Sequence, residues 1–147
     1  MLEDEIRFYF GGAENPWSFG KKANEWGSKK KLPKTGIGIA ILPLDRFAGI
    51  RPLEKIGQIT LRSRSLATTE SITVNADASQ GNIRVELLDA TGYRISKFSK
   101  AEAISIAGDS IRHRVAWKDA ALSTLPEGDV MIRIHLDNAE VFAISLN

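Results

Sequence analysis

The sequence predicts an all-β chain: an antiparallel β-sandwich, jelly-roll-like, with one long loop near its N-terminus. Three observations carry this expectation. Apolar residues recur at every second position in run after run, the signature of strands with one side in a core. Turn-forming pairs separate the runs, and no helical pattern extends beyond two turns. Nine or ten short strands without long helices imply two packed antiparallel sheets.

The runs come in order along the chain. Ile6, Phe8 and Phe10 alternate with Arg7 and Tyr9, and Ile37, Ile39 and Ile41 alternate with small residues. Ile59 and Leu61 follow, then Ile72 and Val74, then Ile83, Val85 and Leu87. Ile104 and Ile106 precede Val115 and Trp117. Val130, Ile132, Ile134 and Leu136 lead through Asp137-Asn138-Ala139-Glu140 into Phe142, Ile144 and Leu146, which reads as a closing hairpin. Gly81-Asn82, Thr91-Gly92, Gly108-Asp109 and Gly128-Asp129 supply the other turns. Lys100 to Ala103 and Lys118 to Leu125 are the two short stretches with helical character. The expected core holds Val74, Ile83, Val85, Val115, Trp117, Ile132 and Ile134, with Phe8, Phe10 and Phe142 in the same register.

Residues 11 to 35 break the alternation. They hold Pro16, Pro33, four glycines, and two of the three tryptophans. Six lysines stand there against Glu14 and Glu25, a local balance of +4 in a chain whose net charge is +2. The rest of the chain is therefore slightly acidic, which argues against nucleic acid as the partner of the whole domain. A loop this long inside one 147-residue domain is functional or disordered. Trp17, Phe19 and Trp26 lie in it without periodicity. Such rings stack on sugar faces while Lys21, Lys22 and Lys29 bond hydroxyl or acidic groups; alternatively a ring folds back to plug the sandwich.

Composition narrows the chemistry. Hydrophobic residues make up 43% and charged residues 26%, a globular mix that can bury a core unaided. Without cysteine there is no disulfide scaffold, zinc–cysteine site, iron–sulfur cluster or thiol nucleophile. His113 and His135 lie on different strands and form no metal-ligand motif, and no cofactor is expected. Asn75, Asp77 and Asp89 near turns are candidate ligands for a structural calcium, although turn formation accounts for them equally. No nucleophile elbow, phosphate loop or dinucleotide fingerprint occurs, and no carboxylate pair stands out, so the chain reads as non-catalytic. No run approaches the roughly 20 apolar residues of a membrane span, so no membrane partner is expected. The acidic opening Met-Leu-Glu-Asp-Glu-Ile lacks the pattern of a signal peptide and suits a piece of a larger protein. Arg62, Arg64, Arg84 and Arg133, with His135, stand opposite in register to core residues. They predict either an arginine-rich outer face for an anionic partner or a solvated face balanced by Glu86 and Asp137.

Three blocks carry a family resemblance: "GIGIAILPLDRFAGI" (Gly36 to Ile50), "ITVNADASQGNIRVELLDATG" (Ile72 to Gly92) and "GDSIRHRVAWKD" (Gly108 to Asp119). Together they resemble the C-terminal β-sandwich of large bacterial glycoside-hydrolase-like proteins, where a five-bladed propeller of the arabinanase/levansucrase/invertase type precedes it. "DEIRFYFGGA" (Asp4 to Ala13) is similar to that propeller's last strand. The resemblance covers most of the chain and implies a β-sandwich accessory domain. Catalytic carboxylates in that family belong to the propeller, so none is carried over. Those relatives join the two blocks through a short histidine-containing segment; here tryptophans and lysines replace it, which implies a different specificity. The implied roles are a carbohydrate-binding module for a polysaccharide or oligosaccharide, anionic in view of the lysines, or a domain bracing a parent catalytic propeller. A secreted or periplasmic location follows if the parent degrades polysaccharide.

Overall fold

The computed structural model describes residues 4–13 and 35–147. The chain divides into two compact units, 1–44 and 45–147. In the first, β1 (Glu5–Ala13) and β2 (Thr35–Pro43) form an antiparallel two-stranded ribbon. Gly11, Gly12 and Ala13, assigned to the loop by sequence, continue β1.

The second unit is all-β and antiparallel, a sandwich not closed into a barrel. Its strands are β3 (Ile56–Thr60), β4 (Arg64–Ser65), β5 (Ile72–Asp89), β6 (Ile106–Arg114), β7 (Asp129–Asp137) and β8 (Glu140–Leu146). A single 3-10 turn at Leu122–Thr124 occupies one of the two stretches with helical character.

The 18-residue β5 organises the unit. Residues 72–77 pair with β8, while residues 82–89 pair with β7, whose far edge carries β3 and β4. On the other side β6 runs along the first half, and the segment 93–98 bonds Leu87 and Asp89 of the second. The change of partners falls at Gly81, where a Cβ would stand 1.9 Å from the Asp137 carbonyl oxygen. Only a residue without a side chain lets β5 pass the β7–β8 turn this closely. Asn138 holds that turn at φ 46°, donating its side-chain amide to the Gln80 carbonyl at 2.8 Å. The expected closing hairpin is therefore corrected: β7 and β8 follow one another but pair with different halves of β5.

Alternation along β5, β7 and β8 fills one core. Ile72, Val74, Ala76, Ile83, Val85 and Leu87 meet Val130, Ile132, Ile134 and Leu136 there. Val115 and Trp117 close it as expected. The Trp117 indole N–H donates to the Val85 carbonyl at 3.0 Å, and the ring packs edge-on against Phe98 at 5.0 Å. Phe142 departs from expectation. The pairing jumps from Asn75↔Ala143 to Ala76↔Val141, so one extra β8 residue bulges out. Val141 takes the core position and Phe142 lies under the Arg46 guanidinium at 4.6 Å.

Candidate functional site

The loop residues singled out from sequence, Trp17, Phe19, Lys21, Lys22, Trp26 and Lys29, lie outside the described residues. Among the described residues two surfaces invite a functional reading, one in each unit.

The first is the ribbon. Its register pairs Phe8 with Ala40, Phe10 with Gly38, Tyr9 with Ile39 and Arg7 with Ile41. Directly opposed residues share a face, so Ile6, Phe8 and Phe10 share one with Ala40 and Leu42. Ile37, Ile39 and Ile41 share the other with Tyr9 and Arg7. Sequence placed Phe8 and Phe10 in a sandwich core; they are instead 44% and 54% exposed, and Ile37 is 85% exposed. The Phe10 ring lies across Gly38, where a Cβ would meet it at 2.4 Å. Both faces are thus apolar, relieved by the Arg7–Glu5 ion pair.

The second is the outer face of the β3–β7–β5 sheet. Register places Gln58, His135 and Arg84 in one row across it, and Thr60, Arg133 and Glu86 in the next. Glu86 is only 1% exposed in its side chain and is the hub. Its Oε1 accepts from His135 Nε2 at 3.0 Å and Arg133 Nη1 at 3.3 Å. Its Oε2 accepts from the Lys100 backbone N–H at 3.3 Å, with Arg94 Nε at 3.7 Å. Arg133 also donates to Thr60 Oγ1 at 2.9 Å, and Arg84 Nη1 reaches the Lys100 carbonyl at 3.5 Å. Burial alone pushes the Glu86 carboxyl up. The His135 hydrogen bond and charge, the Lys100 N–H and Arg133 outweigh it and hold the group below its ordinary range.

Sequence found Arg84, Arg133 and His135 on this face, and saw Glu86 as a balancing charge. It missed Arg94, which sits in a segment without alternation and is brought in by a bridge to Leu88. Arg64 leaves the group. Between Thr60↔Arg133 and Arg64↔Val130 the β3–β4 side spends one residue more than β7, so Arg64 stands opposite a core residue.

The remaining features have structural accounts. Arg46, in the "DRF" segment, donates to Asn75 Oδ1 at 2.9 Å and Asp109 Oδ1 at 2.5 Å. With the Ile50–Val141 backbone bonds, it straps residues 45–50 over the β8–β5–β6 sheet. The candidate calcium ligands are engaged in turns and in this strap: Asp77 Oδ1 accepts from the Ser79 N–H, and Asp89 Oδ1 from Thr91 and Tyr93. A cleft of about 540 Å³ lies between residues 66–70 and 121–130, its walls including Leu66, Thr68, Glu70, Leu122 and Pro126. No aromatic ring lines it. No family model, curated protein or solved structure matches the chain.

Proposed function

We propose that this chain is a non-catalytic accessory domain that braces a second, catalytic domain, meeting it through the β1–β2 ribbon. The observation behind this reading is the ribbon's two apolar faces. A ribbon at home in water alternates apolar and polar faces, and a two-stranded hairpin is marginal by itself. Covering an Ile or Phe side chain is worth about 2 kcal/mol. Phe8, Phe10, Ile37, Ile39 and Ile41 together therefore offer on the order of 10 kcal/mol to whatever covers them, an upper figure. The resemblance of Asp4 to Ala13 and of the three longer blocks to a propeller-linked sandwich supports the same reading.

The test is surface hydrophobicity of the intact chain. Wild type should bind a fluorescent apolar dye and self-associate at high concentration in sedimentation velocity. A Phe10→Ser/Ile39→Ser variant should lose both properties while keeping its melting transition. A wild-type chain that binds no dye and stays monomeric would remove the basis of the proposal.

Carbohydrate binding is the second reading, and the basic outer face favours it. Trp17 and Trp26 remain its aromatic candidates, with titration of their alanine variants against acidic and neutral glycans as the check.

A further inference from the structure

The Glu86 hub holds more cationic donors than its carboxylate can use. A carboxylate accepts about four hydrogen bonds; His135, Arg133 and the Lys100 N–H make three to this one, and Arg94 stands close without making a fourth. Each guanidinium carries five N–H donors in a planar fork matched to a carboxylate. The side chains of the hub divide by exposure. Arg133 and His135 are largely enclosed and tie Glu86 to the sheet. Arg94 is 75% exposed and stands beyond hydrogen-bond distance of Glu86. Arg84, half-buried, makes one long contact with the Lys100 carbonyl, and the Lys100 N–H bonds the same Glu86 oxygen that Arg94 faces. Gln58 and Thr60 lie exposed beside His135 and Arg133 on the neighbouring strand.

We propose that this outer face binds a uronate-bearing oligosaccharide, with a sugar carboxylate taken by Arg84 and Arg94 and hydroxyls by Gln58 and Thr60. Cationic forks next to neutral polar groups match a ligand that carries carboxylates and hydroxyls together. Single-stranded nucleic acid fits less well, because the ring named on this face, His135, is largely enclosed and tied to Glu86 rather than open for a base to stack on. The site is independent of the bracing role: it belongs to the 45–147 unit and uses no ribbon residue.

Calorimetric titration of the full chain with trigalacturonate tests it, against a neutral trisaccharide, a pentaglutamate peptide and an oligo-dT. Trigalacturonate should bind saturably, and more weakly as salt shortens the roughly 8 Å screening length. Arg94→Ala should weaken binding by about tenfold and Arg84→Ala/Arg94→Ala further. Arg114→Ala, an equal charge change on β6 opposite Thr73, should leave it unchanged. Arg94→Ala should also leave the melting temperature unchanged, which separates lost binding from lost folding. The proposal is overturned if wild type does not bind trigalacturonate, or if Arg94→Ala and the double variant bind it as well as wild type. It is equally overturned if pentaglutamate, oligo-dT or the neutral sugar binds as tightly.

Discussion

At the scale of single residues, two side chains tie polar chemistry to the core. Trp117 fills its site against Phe98 and donates its indole N–H to the Val85 carbonyl of β5. Trp117→Ala should cost about 3–5 kcal/mol in chemical denaturation. Trp117→Phe restores most of the volume and removes the buried indole bond to the Val85 carbonyl, so about 1–3 kcal/mol is expected. Glu86 makes stability depend on pH. Its carboxyl lies below the ordinary 4.5 in the folded chain, so the unfolded chain takes up this proton first. The stabilisation is complete above pH 4.5 and is lost as pH falls through the lower folded value. Asp77 and Asp89 are also lowered, by hydrogen bonds from Ser79 and from Thr91 and Tyr93, and slope the same way. Glu86→Gln isolates the hub. It should be about 2 kcal/mol less stable than wild type at pH 7, with the gap closing in urea titrations as pH falls from 4.5 through the lower folded value. A gap that stays constant with pH would place the loss in packing rather than charge.

Elements show where alternation is a sufficient guide and where it is not. Val130, Ile132, Ile134 and Leu136 keep strict period two, and all four point into the core. β5 and β8 contain irregularities that alternation cannot announce. Nothing in "EVFAISL" marks Phe142 as the residue beyond the bulge, because the shift is defined only against Asn75 and Ala76 on another strand. Arg64 is misplaced for the same reason. Register is a property of pairs, and one extra residue exchanges the two faces. Arg94 reaches Glu86 through a bridge between residues six apart, in a segment that carries no strand pattern. Gly81 was legible as a turn and is something more, the point where β5 leaves β8 for β7. Gly81→Ala would drive a methyl into the Asp137 carbonyl, a backbone atom with little room to yield. A loss of about 3 kcal/mol is expected. Ser79→Ala, exposed two residues away, should shift the melting transition far less.

For the whole molecule, the all-β antiparallel sandwich was legible because β7 keeps strict alternation, and β5 and β8 keep their inner faces apolar despite their register shifts. The apolar ribbon was legible as two strands, though not as a separate unit. Its period-two pattern is that of a core strand, and a local pattern does not say which sheet a strand joins. Among the described residues, the core cluster nonetheless takes its buried members from Leu66 to Val141. A chain trimmed to 45–147 keeps every one of those residues, the Arg46 strap and the Glu86 hub. It should therefore unfold in one cooperative transition, with circular dichroism and tryptophan fluorescence coinciding, as a small two-state domain does. Its melting temperature should lie within about 4–8 °C of the full chain's, the shift that 1 kcal/mol produces in a domain of this size. It should also lose the dye binding of the intact protein, because the exposed ribbon residues leave with 1–44. If 45–147 instead melts without cooperativity, the ribbon is part of what folds the sandwich, and the case for it as a surface held ready for another domain collapses.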